Sequence, residues 1–103
     1  MVQHTPDRLR RQCRRLEQLI AEARQTIAEK GPEVEALRRR QSELERGLSI
    51  AGLDSLSKLT MRNELDTVKK QLKELEKPLR KAQTALPLYE NDYEISDCRR
   101  LYG

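Results

Sequence analysis

The sequence has no Phe and no Trp, and its three tyrosines keep aromatics to 3% of 103 residues. A compact globule needs bulky apolar groups converging from several directions, and this supply is too thin for one. One His and two Cys cannot assemble a metal site of ordinary ligand count. There is no Gly-rich phosphate loop and no Cys/His pair. Carboxylates such as Glu43 with Glu45, or Glu74 with Glu76, read as solvated helix positions. Nothing here assembles a catalytic centre, so the expectation is a protein that is not an enzyme and carries no cofactor. No apolar run approaches the roughly 20 residues of a membrane span, and no signal peptide is visible. Cys13 and Cys98 therefore read as reduced thiols in the cytoplasm. His4 falls in an expected disordered start.

Charge is abundant: 37% of residues, with 21 basic and 17 acidic, for a net charge of +4. The two signs are interleaved, the habit of solvated helix faces, and no aromatic platform accompanies the basic residues. Nucleic acid is not an expected partner. A chain of this size is one domain at most, and its Glu, Lys, Arg, Leu and Gln content fits coiled coils and long helices.

Periodicity decides the fold class. Apolar positions run Leu9, Cys13, Leu16, Ile20, Ala23, Ile27, then Val34, Leu37, Leu44 and Leu48, interrupted by Lys30 and Gln41. A second series reads Met61, Leu65, Val68, Leu72, Leu75, Leu79, Ala82, Leu86, Tyr89 and Tyr93. Steps alternating four and three are a heptad with apolar a and d positions. Thr5 suits a helix cap, Pro6 the first helical position and Asp7 the positive helix end. The segment from Leu48 to Ser55 breaks the heptad and supplies Gly, Ser and Asp, with Asp54, Ser55 or Ser57 placed to cap a second helix. Leu53, Leu56 and Leu59 are expected to close over the end of the seam. Pro32 and Pro78 each remove a helical hydrogen bond. The heptad keeps phase across both, which favours continuous helices bent at these points over a bundle of shorter ones.

The expected architecture is all-α: one long antiparallel two-helix coiled-coil hairpin, with helix one over about 6–48, a turn over about 49–55 and helix two over about 56–98. Folding back sets the basic block Arg8, Arg10, Arg11, Arg14 and Arg15 beside the acidic block Glu90, Asp92, Glu94 and Asp97, whereas a parallel dimer stacks Arg on Arg. One register sets Leu48 near Met61, Leu37 near Leu72, Ala23 near Leu86 and Leu16 near Tyr93. A register slipped by one heptad fits as well. Cys13 then faces the seam and Cys98, at an f position, faces away, so the two thiols are expected not to meet.

Surface candidates follow from the same wheel. Arg38 and Arg39, within the run Arg38-Arg39-Arg40, offer a contact patch for an acidic partner, and Arg62, Lys69, Lys70 and Lys73, near the turn and on helix two, are exposed residues placed to contact a folded partner. For the Arg38–Arg40 run the alternative is a solvated face paired with Glu33, Glu35 or Glu43. Tyr89 and Tyr93 sit among acids, as tyrosine-kinase substrates do, and Tyr89-Glu90-Asn91 resembles a Src-homology-2 ligand. Both also fit the seam, where a phosphate would disrupt packing.

The stretch Glu45 to Lys77, ERGLSIAGLDSLSKLTMRNELDTVKKQLKELEK, resembles the small-GTPase-binding coiled coils, namely the finger repeats of protein kinase N and the Ral-binding hairpin of a Ral effector. In it a short Gly-containing turn leads through Leu-Ser-Lys into a Leu-rich basic helix. The resemblance covers about a third of the chain and implies an effector or adaptor module with a small GTPase as partner. The Gly-Ala-Glu-Asn box of the protein kinase N repeats has no counterpart, which argues against Rho, and no contact residue is carried over. The functional expectation is a cytoplasmic protein–protein interaction module, held at the cytoskeleton or a membrane through its partners. The alternative is a structural or oligomerising coiled-coil segment of a cytoskeletal, centrosomal or trafficking protein, for which self-association is the function.

Overall fold

The structure is a computed structural model that describes the backbone of residues 5–99 and the side chains of 7–99. The readings made for His4 and for the Thr5 and Pro6 side chains lie outside these. Helix α1 spans Thr5–Leu48 and α2 spans Ser55–Ile95, with no strand among the described residues. They form an all-α antiparallel helical hairpin. By internal contacts the chain divides into one unit of residues 1–28 and 80–103 and another of residues 29–79.

In the first unit, Cys13, Leu16, Ile20 and Ala23 of α1 and Ala82 of α2 are buried. Leu9, Tyr89 and Tyr93 pack against a cluster of Cys13, Leu16 and Cys98. Residue numbers fall along α2 as they rise along α1: Glu17 meets Tyr93 at 2.9 Å and Arg24 meets Glu90 at 2.7 Å. Leu16 and Tyr93 share a cluster, as the first register above requires.

Cys13 and Cys98 are joined as a disulfide with a Cα–Cα distance of 5.5 Å, which overturns the reading of two separate reduced thiols. The error lay in running the heptad on to residue 98. Helix α2 stops at Ile95, and Asp97 adopts a left-handed conformation with φ of 58°. Asp tolerates that region better than most residues. The Ser96 amide donates to the Asp92 carbonyl at 2.9 Å and the Asp97 amide to the Glu94 carbonyl at 3.1 Å, closing the helix end. The chain then turns, and Cys98 faces the seam instead of the f position of a longer helix.

Of the acidic block, Glu90 pairs with Arg24 and Glu94 with Arg99 at 2.8 Å. Arg8, Arg10, Arg11, Arg14 and Arg15 are exposed.

In the second unit the buried seam is Val34 and Leu44 against Leu65, Val68, Leu72 and Leu79. The polar interruptions Lys30 and Gln41 are half-buried at their heptad positions. A long Lys stem can cover apolar surface while its ammonium reaches water. A Cβ at Gly47 would overlap the terminal methyl of Met61, so glycine is what lets that side chain lie against α1 beside Leu48. That contact again selects the unslipped register.

Both helices run unbroken through their prolines: Pro32 in α1, Pro78 in α2, and also Pro87 in α2, which the sequence reading did not weigh. Each proline frees the carbonyl four residues earlier, those of Ala28, Glu74 and Gln83. All three of these residues are exposed, so water can take up the freed acceptors and the helix continues.

The turn is built from short polar links. The Ser49 amide and hydroxyl both donate to the Arg46 carbonyl, at 3.1 and 2.7 Å, and the Ile50 amide donates to Gly47 at 3.2 Å. Gly52, at φ 88°, supplies the left-handed step. Asp54 caps α2: its Oδ1 accepts from the Ser57 amide at 3.3 Å while its carbonyl accepts the first helical bond, from Lys58, at 3.1 Å.

That cap fixes the helical phase and with it the fate of the leucines expected to close the seam. Counting back from Met61, the seam continues through Lys58 and Ser57, which are half-buried. Leu56 and Leu59 lie one and a half and half a turn off that line, and are 71% and 56% exposed. Only Leu53 is half-buried.

Candidate interaction surface

The second unit carries most of the residues singled out from sequence. Arg38 is ion-paired to Glu76 of α2. Arg40 donates from Nε to Glu64 at 2.5 Å and from Nη1 to Glu43 at 3.1 Å. Two guanidinium groups of the three-Arg run are therefore spent inside the hairpin, and Arg39 alone is exposed without an ion pair. The hydrogen bond from Arg40 holds the Glu64 carboxyl below the usual carboxylate range and raises the Arg40 guanidinium further above its own.

Arg62, Lys69, Lys70 and Lys73 are all exposed. Among the described residues none of them enters an ion pair. Arg62, Lys69 and Lys73 are spaced i, i+7 and i+11 and share one flank of α2, with Lys70 on the adjacent outward ridge. The acids Glu64 and Glu76 are occupied by α1, which leaves Asp66 as the exposed carboxylate between these cations and Glu74 just after Lys73.

The first turns of α2 add an apolar element: Leu56 and Leu59, expected to close the seam, face outward, and Ile50 of the turn is exposed too. Ile50, Leu56 and Leu59 are 60%, 71% and 56% exposed. Leu53, Leu56, Ser57, Thr60 and Met61 line an open groove of about 420 Å³ beside them. The Ser57 hydroxyl and amide, bonded to Asp54, hold that carboxyl below its ordinary value, so Asp54 is engaged in the cap.

The first unit holds the tyrosines. Tyr89 and Tyr93 are half-buried against the disulfide cluster, and the Tyr93 hydroxyl donates to Glu17. A cleft of about 310 Å³ lies nearby, lined by charges that are mutually satisfied: Arg24 with Glu90, Arg99 with Glu94, and Glu17 with Tyr93. It offers a ligand little unspent charge. No group of three or more metal-ligating side chains is found among the described residues, and no described helix is long and apolar enough to cross a membrane.

Comparison with protein-family models, curated proteins and solved structures finds no match to this chain.

Proposed function

We propose that the chain is a protein–protein interaction module that presents the outward face of α2 to a partner. The observation that carries this reading is the contrast in how charges are used. Arg38, Arg40, Glu64 and Glu76 are consumed in holding the helices together, while Arg62, Lys69, Lys70 and Lys73 are left unpaired in one stretch next to exposed aliphatic side chains. Exposed apolar groups beside uncompensated charge are what a docking surface needs and what a purely structural helix gains nothing from.

The disulfide supports a different compartment from the expected cytoplasm. Glutathione and thioredoxin keep cytosolic thiols reduced, whereas a bridge persists in secreted, periplasmic or lumenal proteins. The partner is accordingly proposed to be one met in an oxidising compartment, which weighs against the cytosolic small GTPase that the resemblance implies.

A photo-cross-linking residue at Asn63, on the outward ridge of α2, tests this in the cells that make the protein. A defined partner should be trapped there and be missing when the same group is placed at Ala28 of α1. Cross-links that join only copies of this chain would favour the oligomerising alternative instead.

A further inference from the structure

Leu56 and Leu59 give more than half their surface to water, although Leu65, less than three turns further along α2, is buried. They lie three residues apart on the outward side of the helix, and Leu56 lines the groove shared with Leu53, Thr60 and Met61. From the following turn onward the same helix carries Arg62, Lys69, Lys70 and Lys73 without ion pairs. The face is therefore polarised along its length: aliphatic at the start, cationic after it.

We propose that this face docks an acidic amphipathic helix of a partner protein. Aliphatic residues at one end of that helix would sit on Leu56 and Leu59, and carboxylates further along would lie against Arg62, Lys69, Lys70 and Lys73. The proposal deepens the interaction reading above and rests on it. From Leu56 to Lys73 the face is about 26 Å long at 1.5 Å per residue, the length of a partner helix of about 17 residues. Asp66 interrupts the cations and Glu74 ends them, so the partner positions facing these two should carry no acid; this sets register by repulsion.

Charge selects this occupant over two others. A second copy lying parallel would set Lys against Lys, and one lying antiparallel would set the leucines against the lysines. Neither is complementary. A lipid surface is met by helices whose apolar stripe continues along their length. Here the stripe ends at Leu59, and the outward positions after it are Asn63, Asp66, Lys70 and Lys77.

The test is selection from a phage library of random 18-residue peptides, panned on the disulfide-intact protein. Enriched peptides are expected to be net acidic with two or three aliphatic residues grouped at one end. A synthetic copy of the leading peptide should lose about 10-fold or more in affinity with Leu56→Ser/Leu59→Ser, and similarly with Lys69→Ala/Lys70→Ala/Lys73→Ala. Added salt should weaken it. Unchanged circular dichroism of both variants confirms that the loss is not unfolding. Basic or uncharged peptides, or acidic ones indifferent to both variants, overturn this placement while leaving the interaction reading intact. If no peptide is enriched and the Asn63 cross-links join only copies of the chain, both readings fail together. If no peptide is enriched but phosphatidylserine vesicles bind and are lost with the same substitutions, the occupant is a lipid surface and the proposal is wrong.

Discussion

The Tyr93 hydroxyl donates to Glu17 Oε1 at 2.9 Å while its ring packs against the Cys13–Cys98 cluster, so one side chain ties α2 to α1 in two ways. Removing each link separately shows which matters. Tyr93→Phe deletes the hydrogen bond alone and should cost about 0.5–1.5 kcal/mol. Tyr93→Ala also removes the ring from its half-buried site and should cost more, roughly 2–3 kcal/mol. Urea unfolding of the two variants against the parent measures the difference; equal costs would mean that the ring packs too loosely to count.

The disulfide should be the largest single contributor to stability. It spans a sequence separation of 85. Constraining an unfolded loop of that size is worth roughly 2–5 kcal/mol. Cys13→Ser, or unfolding with a thiol reductant present, should lower the midpoint accordingly. Because both sulfurs belong to residues with no exposed surface, mild reductant should act slowly on the folded protein and quickly in urea. Equal rates in both conditions would place the bridge in a loose end.

Seam and tip leucines should respond oppositely. Leu44 is 2% exposed, and Leu44→Ala should cost about 2–5 kcal/mol through the cavity it leaves. Leu56→Ser, at a site 71% exposed, should change stability by no more than about 0.5 kcal/mol. Thermal melts of the two variants check this directly. A large loss at Leu56 would return that residue to the core.

Acid should weaken the turn before the rest. The Asp54 carboxyl, bonded to Ser57, and the Glu64 carboxyl, bonded to Arg40, are both held below their ordinary values. Such a group supports the fold fully above its unfolded pKa, near 4, and the support is lost as pH falls through the lower folded value. Asp54→Ala should lower the melting temperature at neutral pH and flatten its fall below pH 4, while Asp54→Asn, which still accepts from the Ser57 amide, should recover much of the neutral-pH loss. An unchanged acid limb in Asp54→Ala would mean that the cap carries no pH dependence.

The seam was legible because heptad spacing is a global signal: each of some twenty positions constrains the rest, and even Lys30 and Gln41 fall where the period puts them. The errors all arose where a single local event outranks the period. One residue in the left-handed region, Asp97, redirects Cys98, and no Gly announces it. The Asp54 cap sets the phase that turns Leu56 and Leu59 outward, whereas composition alone suggests that leucines near a seam belong in it. The ion pairs escaped for a further reason. Sequence shows which charges share an end of the hairpin, but Glu90 reaches Arg24 and Glu94 reaches Arg99 by side-chain geometry that block charge does not encode. The candidate surface was half legible: its lysines were named, its aliphatic end was not.

The Cys13–Cys98 bridge also decides how the protein bears load. Tension applied to the chain outside the two cysteines passes from Cys13 through the sulfur–sulfur bond to Cys98, bypassing every residue between them. The helices and the α2 face would stay slack however hard the flanking segments were pulled. Once the bridge is cut, the same pull would unzip α1 from α2, beginning at the Tyr93 and Glu17 contact. Under such a pull the oxidised chain would be nearly inextensible between Cys13 and Cys98, and the reduced chain extensible.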